Sequence, residues 1–317
     1  MSSNTWAIII NPQSGAGKTK KKWQQINAEL QGLEVDYNLH WTKSAGHAVE
    51  IAQQCRAKGF TKFFAIGGDG TIQEVVNGAF AQGYSDEFVF GALPMGTGND
   101  WMRQYISKAS IADYLSALKE KNLFEQDLGI VESEEGKSRY FINFFGAGFD
   151  SQVILESVKY KRWGAIAYEI GLLSALWNYK SPMGKISKNN QNLYHGRLFM
   201  MIASIGPYAG GGMQLCPAAI NNDGILDLTY IEHLGRMNVI ANTRRLKTGS
   251  IIHHSKVHTH RGDSFTIENH SHMEQTALRG EIDGEYFGDG PFTVGLAPFK
   301  LRLSLPLLTR LKRQDNA

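Results

Sequence analysis

Three glycine-rich segments of the sequence carry residue types that suit a phosphorylated ligand. The densest is Gly67-Gly68-Asp69-Gly70-Thr71, where three glycines in four positions let the backbone approach a ligand closely. A carboxylate such as Asp69 is compatible with bound phosphates mainly when Mg²⁺ lies between them or when it orients a proton acceptor. Alone, Gly-Gly-Asp-Gly would also suit a hairpin turn. Its place between an apolar strand and the apolar segment from Ile72 to Phe80 favours a ligand loop.

The segment from Asn11 to Thr19 follows the first apolar run and opens a helical pattern, a position where free N–H groups and the helix dipole favour a phosphate. It nearly spells a P-loop, but Pro12 stands where that motif needs its first glycine. A standard P-loop nucleotidase is therefore disfavoured. An ordinary Asn-Pro turn explains this segment about as well when it is considered alone.

The third segment, Pro94-Met-Gly-Thr-Gly-Asn-Asp100, adds hydroxyl, amide and carboxylate groups after another apolar run. Plain loops would account for the glycines of any one segment. They do not account for three such segments at strand ends.

Two further turns carry carboxylates, Asp283-Gly284-Glu285 and Asn221-Asn222-Asp223-Gly224. Each is a good turn sequence, and solvated turns are the ordinary interpretation of both. The run of oxygen donors around Asp223 also suits a hard cation.

The elements that must position these groups differ between the two halves of the chain. Up to about residue 125, short apolar runs alternate with amphipathic segments, which predicts a parallel sheet with crossover helices. The predicted strands are Trp6–Ile10, Val35–Trp41, Lys62–Ile66 and Phe88–Leu93. Because ligands bind at the carboxyl ends of such strands, the site is expected there.

Beyond Asp127, alternating runs separated by turn residues predict an antiparallel sandwich or barrel. The predicted strands are Arg139–Phe145, Arg197–Ile205, Ile225–Ile231, Ser264–Ile267 and Phe292–Leu296. One helical excursion, from about Ser151 to Tyr179, is expected to interrupt them.

Composition removes several classes of protein. With 33 Lys plus Arg against 30 Asp plus Glu, the net charge of +3 favours neither nucleic acid nor anionic membrane as a partner through a global field. Two cysteines, Cys55 and Cys216, are too few for a disulfide framework and indicate a reducing compartment. The N-terminus lacks the pattern of a secretory signal, and the longest apolar stretch is too short and too polar to cross a bilayer. We expect a cytoplasmic protein that is not inserted in the membrane.

Four motifs of the sequence together resemble the diacylglycerol kinase catalytic-domain family of lipid kinases. They are Asn-Pro-x-Ser-Gly at 11–15, Gly-Gly-Asp-Gly-Thr at 67–71 with Glu74, Pro-x-Gly-Thr-Gly-Asn-Asp at 94–100 and Asp-Gly-Glu at 283–285. Bacterial diacylglycerol kinases and sphingosine kinases belong to this family. Their order covers almost the whole chain, and the element from Lys161 to Tyr168 is also similar to the family.

The resemblance implies a Rossmann-like N-terminal α/β domain (1–127, with 300–317 returning to it) and a C-terminal antiparallel β-sandwich (128–299), with ATP and Mg²⁺ in the cleft. It implies Glu285 as the catalytic base, Asp69 near the phosphates and magnesium, and Asp100 and Asp127 as a supporting acidic network. The residues implied to hold the nucleotide are Asn11, Pro12, Gln13, Ser14, Gly15, Thr42, Gly67, Gly68, Gly70, Thr71, Glu74 and Thr97.

A structural magnesium site is implied at Asp223, with the backbone oxygens of Ile220 and Ile225. The sequence departs from the family there, because Asn222 stands where a second acid often occurs and Ile220 where a lysine can occur.

The function expected from the resemblance is ATP-dependent phosphorylation of a hydroxyl on diacylglycerol or a related lipid, in phospholipid metabolism at the cytoplasmic face of the membrane. Peripheral contact is expected through Lys159, Lys161, Arg162 and Trp163, aided by Arg310, Lys312 and Arg313. No nucleic-acid partner is expected, and whether the chain forms a homodimer stays open. The alternatives are an NAD kinase-like enzyme and a non-catalytic nucleotide- or lipid-binding relative.

Overall fold

The computed structural model describes residues 4–106, 109–159, 167–271 and 277–306. The chain divides into two compact units, the first made of 1–126 and 299–317 and the second of 127–298.

A four-stranded parallel sheet forms the centre of the first unit. Its strands are β1 (Trp6–Ile10), β2 (Tyr37–Trp41), β3 (Lys62–Gly67) and β4 (Val89–Pro94), in the order β2-β1-β3-β4. Every residue of β1 is buried, which is typical of a parallel strand covered on both faces. The four predicted strands and their parallel arrangement are confirmed.

The crossovers of this unit are helical, and they bury an apolar face against the sheet. The helices are α1 (Ser14–Gln31), α2 (His47–Ala57), α3 (Asp69–Phe80), α4 (Asp100–Arg103) and α5 (Ile111–Leu115). Ile26 and Leu30 of α1 are fully buried against Trp6 and Phe64, as their helical spacing predicts. Each of α1, α3 and α4 begins just after a strand end, so their N-termini lie at the carboxyl edge of the sheet.

The second unit is built on antiparallel strands. They are β5 (Leu123–Ser133), β6 (Ser138–Phe141), β7 (Phe144–Gly148), β8 (Met183–Lys188), β9 (Gln191–Ser204), β10 (Leu226–Glu232), β11 (Val257–Gly262), β12 (Ser264–Asn269), β13 (Arg279–Ile282), β14 (Glu285–Asp289) and β15 (Phe292–Ser304). The first residues of β5 and the last of β15 belong to the first unit, where Leu303 pairs in parallel with Phe90. Strand β15 thus begins in the second unit and ends in the first.

Strand β9 joins the two layers of this sandwich. Its first half pairs with β8, and residues 198–204 pair with β7 and β10. Phe145, Leu198, Met201, Phe265 and Phe292 are buried together in the shared core. The sequence allowed either a sandwich or a barrel, and the second unit is a sandwich.

One expectation for this unit is wrong in detail, and one helix was not predicted. The run predicted as one strand over 139–145 is two strands, β6 and β7, which break at Ile142 and Asn143. The predicted helical excursion is present as α6 (Phe149–Lys159) and α7 (Ala167–Asn178), but a further helix, α8 (Arg236–Thr248), was not expected. Within the described ranges, no helix has the length and apolar character to span a bilayer.

Candidate active site

The loops after β1, β3 and β4 meet at one edge of the parallel sheet. The N–H of Met95, just after β4, donates to the carbonyl of Gly67, the last residue of β3, at 2.6 Å, so the two loops leave the sheet side by side. A Cβ on Gly68 would lie 3.1 Å from the Cα of Gly96 and 3.4 Å from the Oγ of Ser14. The three predicted glycine-rich segments are thus brought together, and the glycines make their close approach possible.

The first loop is held to α3 by Asn11. Its Oδ1 accepts from the N–H of Gln13 at 3.0 Å, and its Nδ2 donates to the Thr71 Oγ1 at 3.2 Å. Gly15 has a φ of 60°, and a Cβ there would meet the carbonyl oxygen of Met95 at 2.3 Å. Glycine is therefore required at position 15. Pro12 and Gln13 form the outer turn of this loop.

Asp69 begins α3 and reaches to the start of α4. Its two carboxylate oxygens accept from the N–H groups of Asp100 at 3.0 Å and Trp101 at 3.3 Å. Burial raises the pKa of Asp69 to about 6, and the nearby Asp100 carboxylate adds to the rise. These two carboxylates lie on the same side of Gly98 and form an oxygen-rich pair that suits a hard cation.

The remaining nucleotide candidates differ in exposure and in bonding. Thr42, just after β2, is buried, whereas Thr97 is exposed at the tip of its loop. The carboxylate of Glu74, buried on α3, accepts from the N–H groups of Gly46 at 2.9 Å and Ala48 at 3.1 Å. Glu74 thus fixes the beginning of α2, which is a positioning role that the motif alone does not reveal.

Asp127 and Asp223 lie in the second unit, around the turn before β10. The N–H of Gly224 donates to the Asp127 carboxylate at 2.7 Å, and Asp127 N–H donates to the carbonyl of Asn221 at 2.8 Å. Asp127 thereby holds the turn at which the resemblance implies a structural magnesium ion.

In this turn, the carboxylate of Asp223 forms an ion pair with the guanidinium of Arg261, which also pairs with Asp227 at 3.3 Å. Asp223 further accepts from the N–H of Ile225 at 3.1 Å. Across the described ranges, no cluster of three or more acidic, histidine or cysteine side chains is arranged to hold a metal. A cation at Asp223, Ile220 and Ile225 would compete with Arg261 for the Asp223 carboxylate, and magnesium binding there stays a prediction.

The Asp-Gly-Glu segment forms the hairpin turn between β13 and β14. Asp283 and Gly284 have φ values of 49° and 88°, which is the backbone of a tight hairpin. The buried Asp283 carboxylate accepts from the N–H groups of Ile142 at 2.9 Å, Asn143 at 3.0 Å and Phe144 at 2.9 Å. These bonds explain the break between β6 and β7, because the N–H groups there serve Asp283.

Glu285 is the first residue after this anchored turn, and its side chain is about one-third exposed. Its carboxylate pairs with the guanidinium of Arg139 on β6 at 2.5 Å. The turn therefore presents a carboxylate on a rigid support, with its orientation fixed by Arg139.

We expect Asp283→Ala to destabilise the second unit by about 3 kcal/mol or more, because three buried N–H groups lose a charged acceptor. Chemical denaturation monitored on the full chain measures this change. Glu285→Gln, which leaves all three bonds in place, is the control and should unfold near the wild-type midpoint. Equal midpoints for Asp283→Ala and wild type would show that the anchor contributes little.

Three residues of these sites were missed from the sequence. Arg139 and Arg261 pair with the candidate carboxylates Glu285 and Asp223. Gln126, fully buried, accepts at its Oε1 from the Trp101 Nε1 at 2.8 Å and thereby supports α4, whose N–H groups hold Asp69. The sequence offers no local signal for any of them, since each acts through a partner distant in the chain.

The residues predicted to meet a membrane fall mostly outside the described ranges. Lys161, Arg162 and Trp163 lie there, as do Arg310, Lys312 and Arg313. Lys159 is described, and its ammonium pairs with Glu156 at 2.6 Å.

Known proteins match this chain over nearly its full length. Residues 5–131 match the diacylglycerol kinase catalytic domain, and residues 143–305 match the YegS C-terminal NAD kinase beta sandwich-like domain. A YegS-like lipid kinase of Xanthomonas oryzae is 28% identical, with 96% of this chain and 97% of that protein covered. A diacylglycerol kinase of Staphylococcus saprophyticus is 26% identical, with 90% of each covered.

Among solved structures, a diacylglycerol kinase from Bacillus anthracis superposes with a TM-score of 0.68 at 19% identity, covering 95% of this chain and 97% of that one. At that identity the likeness supports the fold: a mixed sheet with an N-terminal α/β domain and a C-terminal antiparallel β-sandwich. The two domain matches lead to one assignment. The chain belongs to the diacylglycerol kinase catalytic-domain family of lipid kinases.

Proposed function

We propose that the protein transfers the γ-phosphate of ATP to a hydroxyl of diacylglycerol or a related lipid, at the cytoplasmic face of the membrane. The observation that carries the proposal is the convergence of three glycine-rich strand-end loops beside the Asp69 carboxylate. Membership in a family of lipid kinases makes a lipid hydroxyl the favoured acceptor.

The phosphates of the nucleotide would lie against Gly67–Thr71 and the loop that Asn11 holds. The first N–H groups of a helix have no acceptor within the helix, so the start of α3 can donate to phosphate oxygens. Gly68 allows those oxygens to come close to the backbone, which positions the phosphate chain without any side chain between.

Asp69 and Asp100 would hold a magnesium ion, since both present carboxylate oxygens on the same side of Gly98. Burial raises the pKa of Asp69 to about 6, and a cation bound there would favour its charged form. When bound, the ion would neutralise charge on the phosphates. Arg103, which donates to Asp100 at 3.3 Å, orients that carboxylate.

Glu285 would take the proton of the attacking lipid hydroxyl. The hydroxyl oxygen then forms a bond to the γ-phosphorus as the bond to the ADP oxygen breaks, and the proton remains on the Glu285 carboxylate. Arg139 orients that carboxylate before the reaction, and Asp283 fixes the turn that carries it.

The decisive experiment incubates the purified protein with γ-labelled ATP, magnesium, and diacylglycerol, monoacylglycerol or sphingosine in detergent micelles, with NAD in a parallel reaction. We expect label in a lipid product. Label on NAD would support the NAD kinase alternative instead. Tight ATP binding with no transfer to any acceptor would support a non-catalytic relative.

A further inference from the structure

Helix α8 lies on the surface of the second unit with an unusual charge distribution. None of its residues is buried, although Val239 and Leu246 pack partly against the core. Its basic residues are Arg236, Arg244, Arg245 and Lys247, and residues 236–248 include no aspartate or glutamate. Contact with solvent alone does not require that all the charged residues of a surface helix have the same sign.

The outward face of α8 carries two exposed apolar side chains. Met237 and Ile240 are 76% and 49% exposed. At about 100° per residue, they lie with Arg244 on the side opposite Val239 and Leu246. By the same rotation, Arg245 and Lys247 lie on the two flanks. The face is therefore a stripe of two apolar side chains and Arg244, with one further cation on each flank.

Trp177, at the end of α7, extends this stripe and is 68% exposed. Arg236 donates to the carbonyl oxygens of Leu176 and Trp177, and its guanidinium carbon lies 5.0 Å from the centre of the indole ring. Arg236 thus joins the end of α7 to the start of α8 and holds an indole at the surface, where solvation alone would not favour it.

A cavity of about 670 Å³ lies between these two helix ends. Phe199 and Leu234 contribute apolar wall, and Lys180 and Arg197 add two cations. Within the described ranges neither cation forms an ion pair. The neighbouring acid, Glu232, is paired with His258 at 2.9 Å. Anion-binding capacity therefore remains at this cavity.

We propose that this surface, formed by α8, Trp177 and the cavity cations, docks the protein on an anionic lipid bilayer. The inference rests on the proposed function, because a kinase acting on a bilayer lipid must reach it at the interface. An indole and exposed aliphatic side chains flanked by Lys and Arg are typical of helices that lie in a membrane interface. A symmetric second copy is disfavoured because it would place the same cations against each other.

The test is sedimentation of the full chain with vesicles of phosphatidylcholine containing 30% phosphatidylglycerol, and with pure phosphatidylcholine vesicles, without ATP or diacylglycerol. We expect the wild type to bind the anionic vesicles at least tenfold more tightly. The triple variant Arg244→Gln, Arg245→Gln, Lys247→Gln should lose roughly a hundredfold in partition coefficient, at about fivefold per charge. Met237→Ser with Ile240→Ser should lose about tenfold, since two interfacial apolar contacts are removed.

The matched control is Lys20→Gln, Lys21→Gln, Lys22→Gln, which removes the same charge from exposed positions of α1. It should retain binding to within about threefold, because charges away from the membrane are screened. An equal loss in both triple variants would reduce the effect to net charge and overturn the proposal. Three other outcomes would also overturn the proposal. The wild type could bind neutral and anionic vesicles equally, the α8 variants could lose a dimer that the wild type forms, or the wild type could bind polyglutamate more tightly than anionic vesicles.

A kinase assay on short-chain diacylglycerol in detergent micelles separates this inference from the proposed function. There the α8 variants should keep wild-type turnover, because no bilayer has to be reached. Vesicle binding by a protein without kinase activity would refute the proposed function and leave the docking surface supported. Kinase activity without vesicle binding would do the reverse.

Discussion

Gly68→Val is expected to raise the Kd for ATP at least a hundredfold while the fold is kept. A Cβ added at position 68 would already lie close to Gly96 and Ser14, so the two methyl groups of valine would fill the space between the three loops. Loss of two or more phosphate contacts, each worth about 1.5 kcal/mol, accounts for roughly this factor.

Backbone strain does not complicate this substitution. Gly68 has a φ of −92° and a ψ of −174°, an extended conformation that valine adopts readily. Isothermal titration calorimetry with ATP and magnesium measures the change, and circular dichroism checks that the variant is folded.

Gly235→Val is a matched control, since Gly235 also precedes a helix in an extended conformation, and a Cβ added there would have no atom within 4 Å. It should bind ATP as the wild type does. If the folded Gly68→Val protein bound ATP with unchanged affinity, the nucleotide would not bind at this edge of the sheet.

The first unit was readily predicted from the sequence because its strands are locally encoded. β1 and β3 are continuous apolar runs that end abruptly at polar or glycine residues, and each is followed by a helical pattern. The rule that ligands bind at the carboxyl ends of parallel strands then places the three loops together without any knowledge of distant contacts.

The second unit was harder to predict because non-local bonds decide its details. The interruption between β6 and β7 follows from bonds to Asp283, about 140 positions further along the chain. The hairpin type itself was accessible, since Asp-Gly is a strong signal for that turn. The partner that anchors it was not.

Helix α8 escaped prediction for a different reason. It buries no residue, so its sequence lacks the regular apolar spacing that marks a helix packed on a core. Its two most exposed apolar residues, Met237 and Ile240, point outward, so the sequence does not show one clear apolar face. The feature that hid the helix is the one on which the docking proposal depends.

Glu285→Gln is expected to lower the rate of phosphoryl transfer by about 10²–10⁴ with the Kd for ATP nearly unchanged. Glutamine keeps the size of the side chain and can still accept from Arg139, so the turn should stay in place. Only the ability to take a proton is lost. Single-turnover measurement with excess enzyme reports this step directly, because product release does not contribute.

Glu268→Gln is the matched control for charge and exposure. Glu268 lies on β12 in an ion pair with Lys185 at 3.0 Å, and its side chain is 36% exposed against 35% for Glu285. Both variants remove one carboxylate from an exposed ion pair of the second unit. Since Glu268 is far from the Asp283 turn in the strand order, its variant should transfer phosphate at the wild-type rate.

Two further variants assign the roles around the base. Arg139→Met should lower the transfer rate less than Glu285→Gln does, because it removes only the orienting partner of the carboxylate. Asp69→Asn should lower the rate and also raise the magnesium concentration needed for half-maximal activity, because a charge beside the phosphates is lost.

If Glu285→Gln transfers phosphate at near the wild-type rate, Glu285 is only the start of strand β14. Asp69, with its pKa raised to about 6, then becomes the first candidate for the base.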